Sequence, residues 1–181
     1  MTLTTKEKLA WTAAKLFQEK GYNGVGLSEI LAATGLTKGS LYHHFPNGKS
    51  DLALEAAALA NREMTRIIND AFEPAEDYGA GVKTLFYKLA KLFEVMGSYT
   101  GCPISEILFA GPDHVEFREK SDAYFQGWID QIAGHATRLG EDDANAEPRG
   151  RHLFIVLQGG WTLARARQDS DVIRKLADLP L

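Results

Sequence analysis

Apolar positions recur along almost the whole chain at intervals of three and four, and strand-like alternation is absent, which predicts an all-α protein. A first helix is expected from Thr4 or Thr5 to about Lys20, with Leu9, Ala13, Leu16 and Phe17 on its inner face and Gly21 as its stop. Two short helices are expected within residues 27–45. Pro46-Asn47-Gly48 breaks the chain before a long helix over about 49–72, whose buried side is marked by Leu52, Leu59, Ile67, Ile68 and Phe72. A polar hinge from Glu73 to Gly81 precedes an amphipathic helix carrying Leu85, Phe86, Leu89, Leu92, Phe93 and Met96. Gly97 to Pro103 breaks that helix, and a short one follows from Ile104 to Ala110, ended by Gly111-Pro112. Asp113 is expected to cap a helix to about Leu139, with Phe117, Tyr124, Phe125, Trp128, Ile129 and Ile132 inward. The acidic stretch from Gly140 to Pro148 reads as an exposed loop. Helices over about 149–168 and 171–177 close the chain and bring the count to nine.

The segment LSEILAATGLTKGSLYHHF, residues 27–45, has the form of a helix-turn-helix. Ile30 and Leu31 point inward, Ala32 and Ala33 allow close approach, and Gly35 can take the left-handed conformation that a sharp turn needs. Leu36 fills the corner, Thr37 is placed to cap the second helix, and Leu41 and Phe45 anchor it. Its other face offers Lys38, Gly39, Ser40, Tyr42, His43 and His44. Gly39 lets the backbone approach a base edge, Lys38 can reach guanine or phosphate, and the tyrosine and histidines can donate to phosphate oxygens. Lys49, at the start of the long helix, adds a charge where a helix N-terminus already favours phosphate. The same residues could simply build a small helical corner, but their combination at this spacing points to double-stranded DNA.

Charge sharpens that picture. The net charge of -4 on 181 residues does not suit a general polyanion binder. Residues 1–50, however, hold six lysines against three acids, whereas the rest holds fourteen basic against twenty-one acidic residues. A basic N-terminal piece on an acidic body suits a DNA reader with a separate regulatory part. With 45% hydrophobic and 24% charged residues the composition is that of an ordinary globular protein. Apolar runs stay far short of the roughly 20 residues needed to span a bilayer, and no secretory signal is visible at the start. A single cysteine, Cys102, allows no internal disulfide and fits a reducing cytoplasm. Its neighbours supply no base to activate it as a redox sensor. His114, His135 and His152 lack metal-ligand spacing, so neither a metal nor a cofactor is expected.

The run G-x-T-K-G-S-L-Y-H-H-F-P followed by a lysine resembles the TetR family of bacterial repressors, over about residues 5–55. That resemblance implies a three-helix DNA-binding head, residues 1–48, and a helical ligand-binding and dimerisation body, residues 49–181. It carries DNA contact onto Ser28, Thr37, Lys38, Gly39, Ser40, Tyr42, His43, His44 and Lys49. YHHFPNGKSDLALEA, with Gly48 as an extra residue before the lysine, and GCPISEIL at 101–108 resemble the branch that includes repressors of multidrug-efflux and flavonoid-related genes. Two departures stand out. Gly26 replaces the threonine or serine that in many members caps the first motif helix and touches phosphate, leaving Ser28 as the nearby hydroxyl. No N-terminal arginine arm is present, so minor-groove reading is not expected.

Aromatic residues crowd the helices from 82 to 139: Phe86, Phe93, Tyr99, Phe109, Phe117, Tyr124, Phe125 and Trp128. Taken singly they read as core. As a set, and given the pocket that TetR bodies hold, they suggest an effector site formed by Phe86, Leu89, Phe93, Ile107, Phe125, Trp128 and Trp161, with Gln158 as its polar contact. The effector would be a small, hydrophobic or aromatic, mostly uncharged molecule. In the closing helices Leu153, Phe154, Val156, Leu157, Trp161 and Leu163 are apolar nearly all round, which calls for burial on more than one side. Gly159-Gly160 costs about 1 kcal/mol each inside a helix, and close crossing of a second helix would explain them. These features predict a homodimer through the last two long helices.

The expected function is therefore a cytoplasmic, ligand-responsive transcriptional repressor. A dimer would set two recognition helices about 34 Å apart on a near-palindromic operator. An enzyme would need a nucleophile–base pair or a metal cluster, and the sequence shows neither. A protein-interaction module that had lost DNA binding would not need Tyr42 and Lys49.

Overall fold

The computed structural model describes residues 3–97, 101–109 and 115–179, and among these every regular element is helical. The elements are α1 (Thr5–Lys20), α2 (Leu27–Thr34), α3 (Lys38–His44), α4 (Lys49–Phe72), α5 (Tyr78–Met96), α6 (Pro103–Leu108), α7 (Val115–Arg138), α8 (Asp143–Arg167) and α9 (Asp171–Lys175). A 3-10 turn, Leu176–Asp178, follows α9. The expected cap Asp113, the break at Gly111-Pro112, and Tyr99, Ala110 and His114 lie outside the described residues.

The chain forms two compact units, one of residues 1–62 with 102–122 and one of residues 63–101 with 123–181. In the first, Thr4 begins α1 with a capping box: its hydroxyl accepts from Glu7 N at 3.2 Å, and the Glu7 carboxylate accepts from Thr4 N at 2.8 Å. Leu9, Ala13 and Phe17 are fully buried as the spacing requires, whereas Leu16, at the edge of that face, is only half-buried. α1 packs on α2, α3 and α6, and the core also takes in Val25, Ile30, Leu41, Phe45, Leu52, Ile104 and Ile107. Leu59, read as buried, is half-covered, because the inner stripe of α4 at that level consists of Ala53, Ala56 and Ala57.

In the second unit α5 packs on α9 and the 3-10 turn, and α8 packs on α9. Leu85, Phe86, Leu89 and Phe93 are buried in it, and Leu92 and Met96 on the flank of the same helix are half-buried. On α7 the inner line is Trp128, Ile129, Ile132 and Ala136, with Tyr124 and Phe125 half-covered. Three glycines set the closest approaches. A Cβ on Gly81 would lie 2.3 Å from the Phe72 ring, one on Gly150 2.5 Å from the Ile129 carbonyl oxygen, and one on Gly160 2.2 Å from Leu176.

The acidic stretch is not a loop beyond Asp142. α8 begins at Asp143, with the Asp142 carboxylate accepting from Ala144 N at 3.5 Å. Carboxylates gathered at a helix N-terminus meet its positive end, and Glu141 and Glu147 pair with Arg149 and Arg151. Pro148 sits inside the helix, one turn further in than the position proline ordinarily tolerates.

A polar ladder joins α7 to the second half of α4. Gln131 Nε2 donates to Thr65 O at 2.9 Å and to Asn69 Oδ1 at 2.6 Å, His135 Nε2 shares Asn69 Oδ1 at 2.9 Å, and Arg138 donates to Phe72 O at 2.6 Å. The His135 ring stacks on Phe72 at 5.4 Å. Burial and then the Arg138 charge pull the His135 imidazole below its ordinary range, against a weaker opposing pull from Glu73. Tyr78 packs on the Phe72 ring, and burial pushes its hydroxyl up to about 12. A histidine with a lowered folded pKa favours the neutral form, so its stabilisation is present above the unfolded value of about 6.5 and is lost as pH falls through the folded one. Melting temperature should therefore drop more steeply between about pH 7 and 5.5 in the wild type than in H135Q, whose amide can still donate to Asn69; parallel curves would refute this.

Candidate DNA-binding site

The site is built on α2 and α3. α2 starts at Gly26, which offers no side-chain cap; its carbonyl accepts from Glu29 N at 3.1 Å and Ile30 N at 3.3 Å. Ser28 is exposed beside that start. Gly35 closes α2 in the left-handed conformation, φ 68°, and its N–H donates to Leu31 O at 2.9 Å. The buried Thr34 hydroxyl donates to Ile30 O at 2.9 Å and accepts from Leu36 N at 3.4 Å, pinning the corner. Leu36 itself is half-buried.

Thr37 caps α3, its hydroxyl accepting from Ser40 N at 3.2 Å. Leu41 and Phe45 are buried and fix the helix to its unit. The opposite face exposes Lys38, Gly39, Tyr42 and His43, while Ser40 and His44 are half-buried at its edges. Lys38 Nζ lies 5.9 Å from the Tyr42 ring centroid, and the two histidine rings meet edge-on at 4.9 Å. Between Glu29 and Asp51 the chain carries Lys38, Lys49, His43 and His44 and no carboxylate, so this stretch offers a polyanion no repulsive charge of its own.

The turn after α3 is specified more tightly than Pro46-Asn47-Gly48 suggests. Asn47 donates from its backbone N to Asp51 Oδ2 at 2.8 Å and from its amide to Oδ1 at 3.1 Å. Gly48 has φ 64° and is buried, and a Cβ there would lie 3.3 Å from both Leu27 Cδ1 and Tyr42 Cε1. The residue that looked like an insertion thus seats the Tyr42 ring. Lys49 opens α4 half-buried, with its ammonium 4.2 Å from the Tyr22 ring centroid. Burial there pulls the ammonium below its usual range. Nothing in the local pattern around Tyr22 marked it as a partner of Lys49, since the two are far apart in sequence.

The residues expected to line an effector site are distributed as follows. Phe86, Leu89, Phe93, Trp128 and Trp161 are buried in the second unit, where Phe125 and Gln158 are half-buried; Ile107 is buried in the first. Phe93 meets Trp161 edge-on at 5.2 Å, and Phe125 lies 5.4 Å from Trp128 and 5.0 Å from Phe154. A groove of about 420 Å³ runs along α8 past Glu147, Pro148, Arg151, His152, Ile155 and Val156, none of which belongs to that set. Among the described residues no three His, Cys, Asp or Glu side chains are placed to hold a metal, and no helix is long and apolar enough to cross a membrane.

Comparison with known proteins agrees with this architecture. Residues 11–56 match the model of the bacterial regulatory proteins of the tetR family, and residues 79–179 match that of the LmrA/YxaF-like transcriptional regulator C-terminal domain. The chain is 28% identical over 179 residues to the HTH-type transcriptional regulator YxaF of Bacillus subtilis, covering 96% of this chain and 92% of the relative. To LmrA of the same organism it is 28% identical over 169 residues, covering 92% and 89%. Among solved structures, a TetR regulator from Legionella pneumophila aligns with TM-score 0.82 at 20% identity, over 98% of this chain and 97% of that one. The regulator CifR, as a cysteine mutant complexed with 26-bp double-strand operator DNA, aligns with TM-score 0.81 at 20% identity over 94% and 92%.

Proposed function

This chain belongs to the TetR family of bacterial transcriptional regulators, with an LmrA/YxaF-like body, and from that premise we propose that it is a ligand-responsive repressor acting as a homodimer in the cytoplasm. The observation that carries the DNA-reading part is α3 itself. Leu41 and Phe45 hold one side while Lys38, Gly39, Tyr42 and His43 stand free on the other, on a helix of a size that fits a major groove. Ser28, Thr37, Ser40, His44 and Lys49 flank that face and would position the backbone of the operator.

Residues 1–48 would read DNA and residues 49–181 would sense and dimerise. A small hydrophobic or aromatic effector, held by the aromatic residues of the body with Gln158 as polar contact, would favour a conformation that moves α4 and spreads the two heads. Release then follows from differential affinity for two states. The test is a mobility-shift titration on near-palindromic sites in the protein's own upstream region. Affinity there no better than for unrelated duplex would sink local repression.

Burial refines the dimer face. Leu153, Leu157 and Trp161 are committed to their own unit, and Gly160 is occupied by Leu176. Ile155 and Leu163 are 61% and 42% exposed, Val156 is half-exposed, and Gly159 faces open space. With His152 they form one outward stripe of α8 at helical spacing, along which the groove runs. An exposed apolar stripe of this kind suits a two-fold contact in which a second copy presents the same face. The double variant I155E/L163E should sediment as a monomer while keeping its helical spectrum; an unchanged sedimentation coefficient would move the interface elsewhere.

A further inference from the structure

The geometry points to Tyr22 as the positioning residue for Lys49, holding its ammonium where the operator phosphate is to be met. This rests on the DNA-binding role proposed for Lys49. Tyr22 lies just beyond α1, half-buried, and four helices converge on it. Its ring packs on Phe17 of α1 at 5.6 Å and receives the edge of Phe117 of α7 at 5.4 Å. Its N–H donates to Glu106 O of α6 at 3.2 Å, and its hydroxyl lies 3.4 Å from Ser50 Oγ of α4. The ring also carries Lys49 Nζ at 4.2 Å from its centroid, a closer approach than the 5.9 Å of Lys6 over Phe45 or of Lys38 over Tyr42.

This arrangement has a consequence for binding. No carboxylate among the described residues forms an ion pair with Lys49, so the ammonium rests on a quadrupole and keeps its whole charge for a phosphate. A lysine stem loses much rotamer freedom when a ligand fixes it, and a side chain ordered beforehand loses less on binding. The seat is set by α6 and the first turns of α7 through Glu106 and Phe117, so the position of Lys49 follows segments outside the helix-turn-helix.

Two measurements test this. In the wild-type protein, NMR of selectively labelled lysine should show the Lys49 ε-methylene protons shifted upfield by the Tyr22 ring, assigned by their absence in K49M. They should stay there in Y22F, which keeps the ring, and return toward ordinary lysine values in Y22L. Unshifted ε protons in the wild type overturn the proposal and need neither DNA nor a destabilised variant. Operator titrations give the second reading. Y22L should weaken binding about three- to tenfold, the worth of a cation–π contact. K49M should cost about tenfold and lower the salt slope by about one. In the Y22L background K49M should cost less than about threefold, because the two residues act as one unit. Fully additive losses would make Tyr22 a core residue only, and an absence of operator binding by the wild type would strike the DNA reading while leaving the NMR result to stand.

Discussion

Gly150→Ala is expected to lower the melting temperature, although alanine is the better helix former. In an open helix interior the exchange gains about 1 kcal/mol. At Gly150 the added Cβ would fall 2.5 Å from the Ile129 carbonyl oxygen and 3.2 Å from Ala133 N, and both are backbone atoms of α7. A backbone contact cannot be relieved by a rotamer change, so α7 or α8 must shift, at roughly 1–3 kcal/mol for overpacking. Gly134, on α7, has nothing within 4 Å of its Cβ position and is exposed, so G134A should gain where G150A loses. The two variants should melt about 5–10 °C apart, from about 2–4 °C per kcal/mol for a chain of this size. Thermal denaturation of the pair decides it, and a G150A protein melting at or above the wild type would mean that the α7–α8 crossing is looser than described. Gly160 faces the end of the half-buried Leu176 side chain instead and so should tolerate alanine better, whereas a Cβ at Gly81 would press on the buried Phe72 ring.

What the sequence made legible, and what it hid, follows one physical division. Signals carried by a few adjacent residues came through: a threonine cap at Thr4 or Thr5, which the fold assigns to Thr4, Gly35 as the left-handed turn, Thr37 as the cap of α3, and Leu41 with Phe45 as its anchor. Periodicity located the inner faces, but it could not say how deep each position sits, so Leu16, Leu59 and Tyr124 proved half-covered. The start of α8 was missed because Pro148 reads as a stop. Asp142 and the carboxylates around it begin the helix two turns earlier. For the site, the residues of α3 were readable because they lie on one short helix. The seat of Tyr42 at Gly48 and that of Lys49 at Tyr22 were not, since each depends on a contact made only when the elements pack. The apolar α8 set divided for a similar reason: composition shows that two faces need cover, but only the fold shows that Leu153, Leu157 and Trp161 are covered from within and Ile155 and Leu163 are not.

Gly39→Glu should abolish operator binding and leave the fold intact. Gly39 stands at the second position of α3, fully outward, and a Cβ there would meet only Thr37 Oγ1 at 3.9 Å, an ordinary contact. The fold therefore has no need of a glycine at this position. A carboxylate in the first turn of α3, which has no acid there now, should favour the helix N-terminus by about 0.3–1 kcal/mol, so stability should hold or rise. If α3 enters a major groove, the same side chain fills the space where the backbone meets base edges and sets a negative charge among phosphates. One such clash and one uncompensated buried charge together amount to roughly 3 kcal/mol or more, a loss of at least about a hundredfold in affinity. G39A, which adds a methyl and no charge, should fall between glutamate and the wild type. Thermal melts and operator titrations on the same three proteins separate the two readings of α3. A helix that merely builds a corner would show three similar affinities, whereas a reading helix loses DNA in steps while its melting temperature stays level.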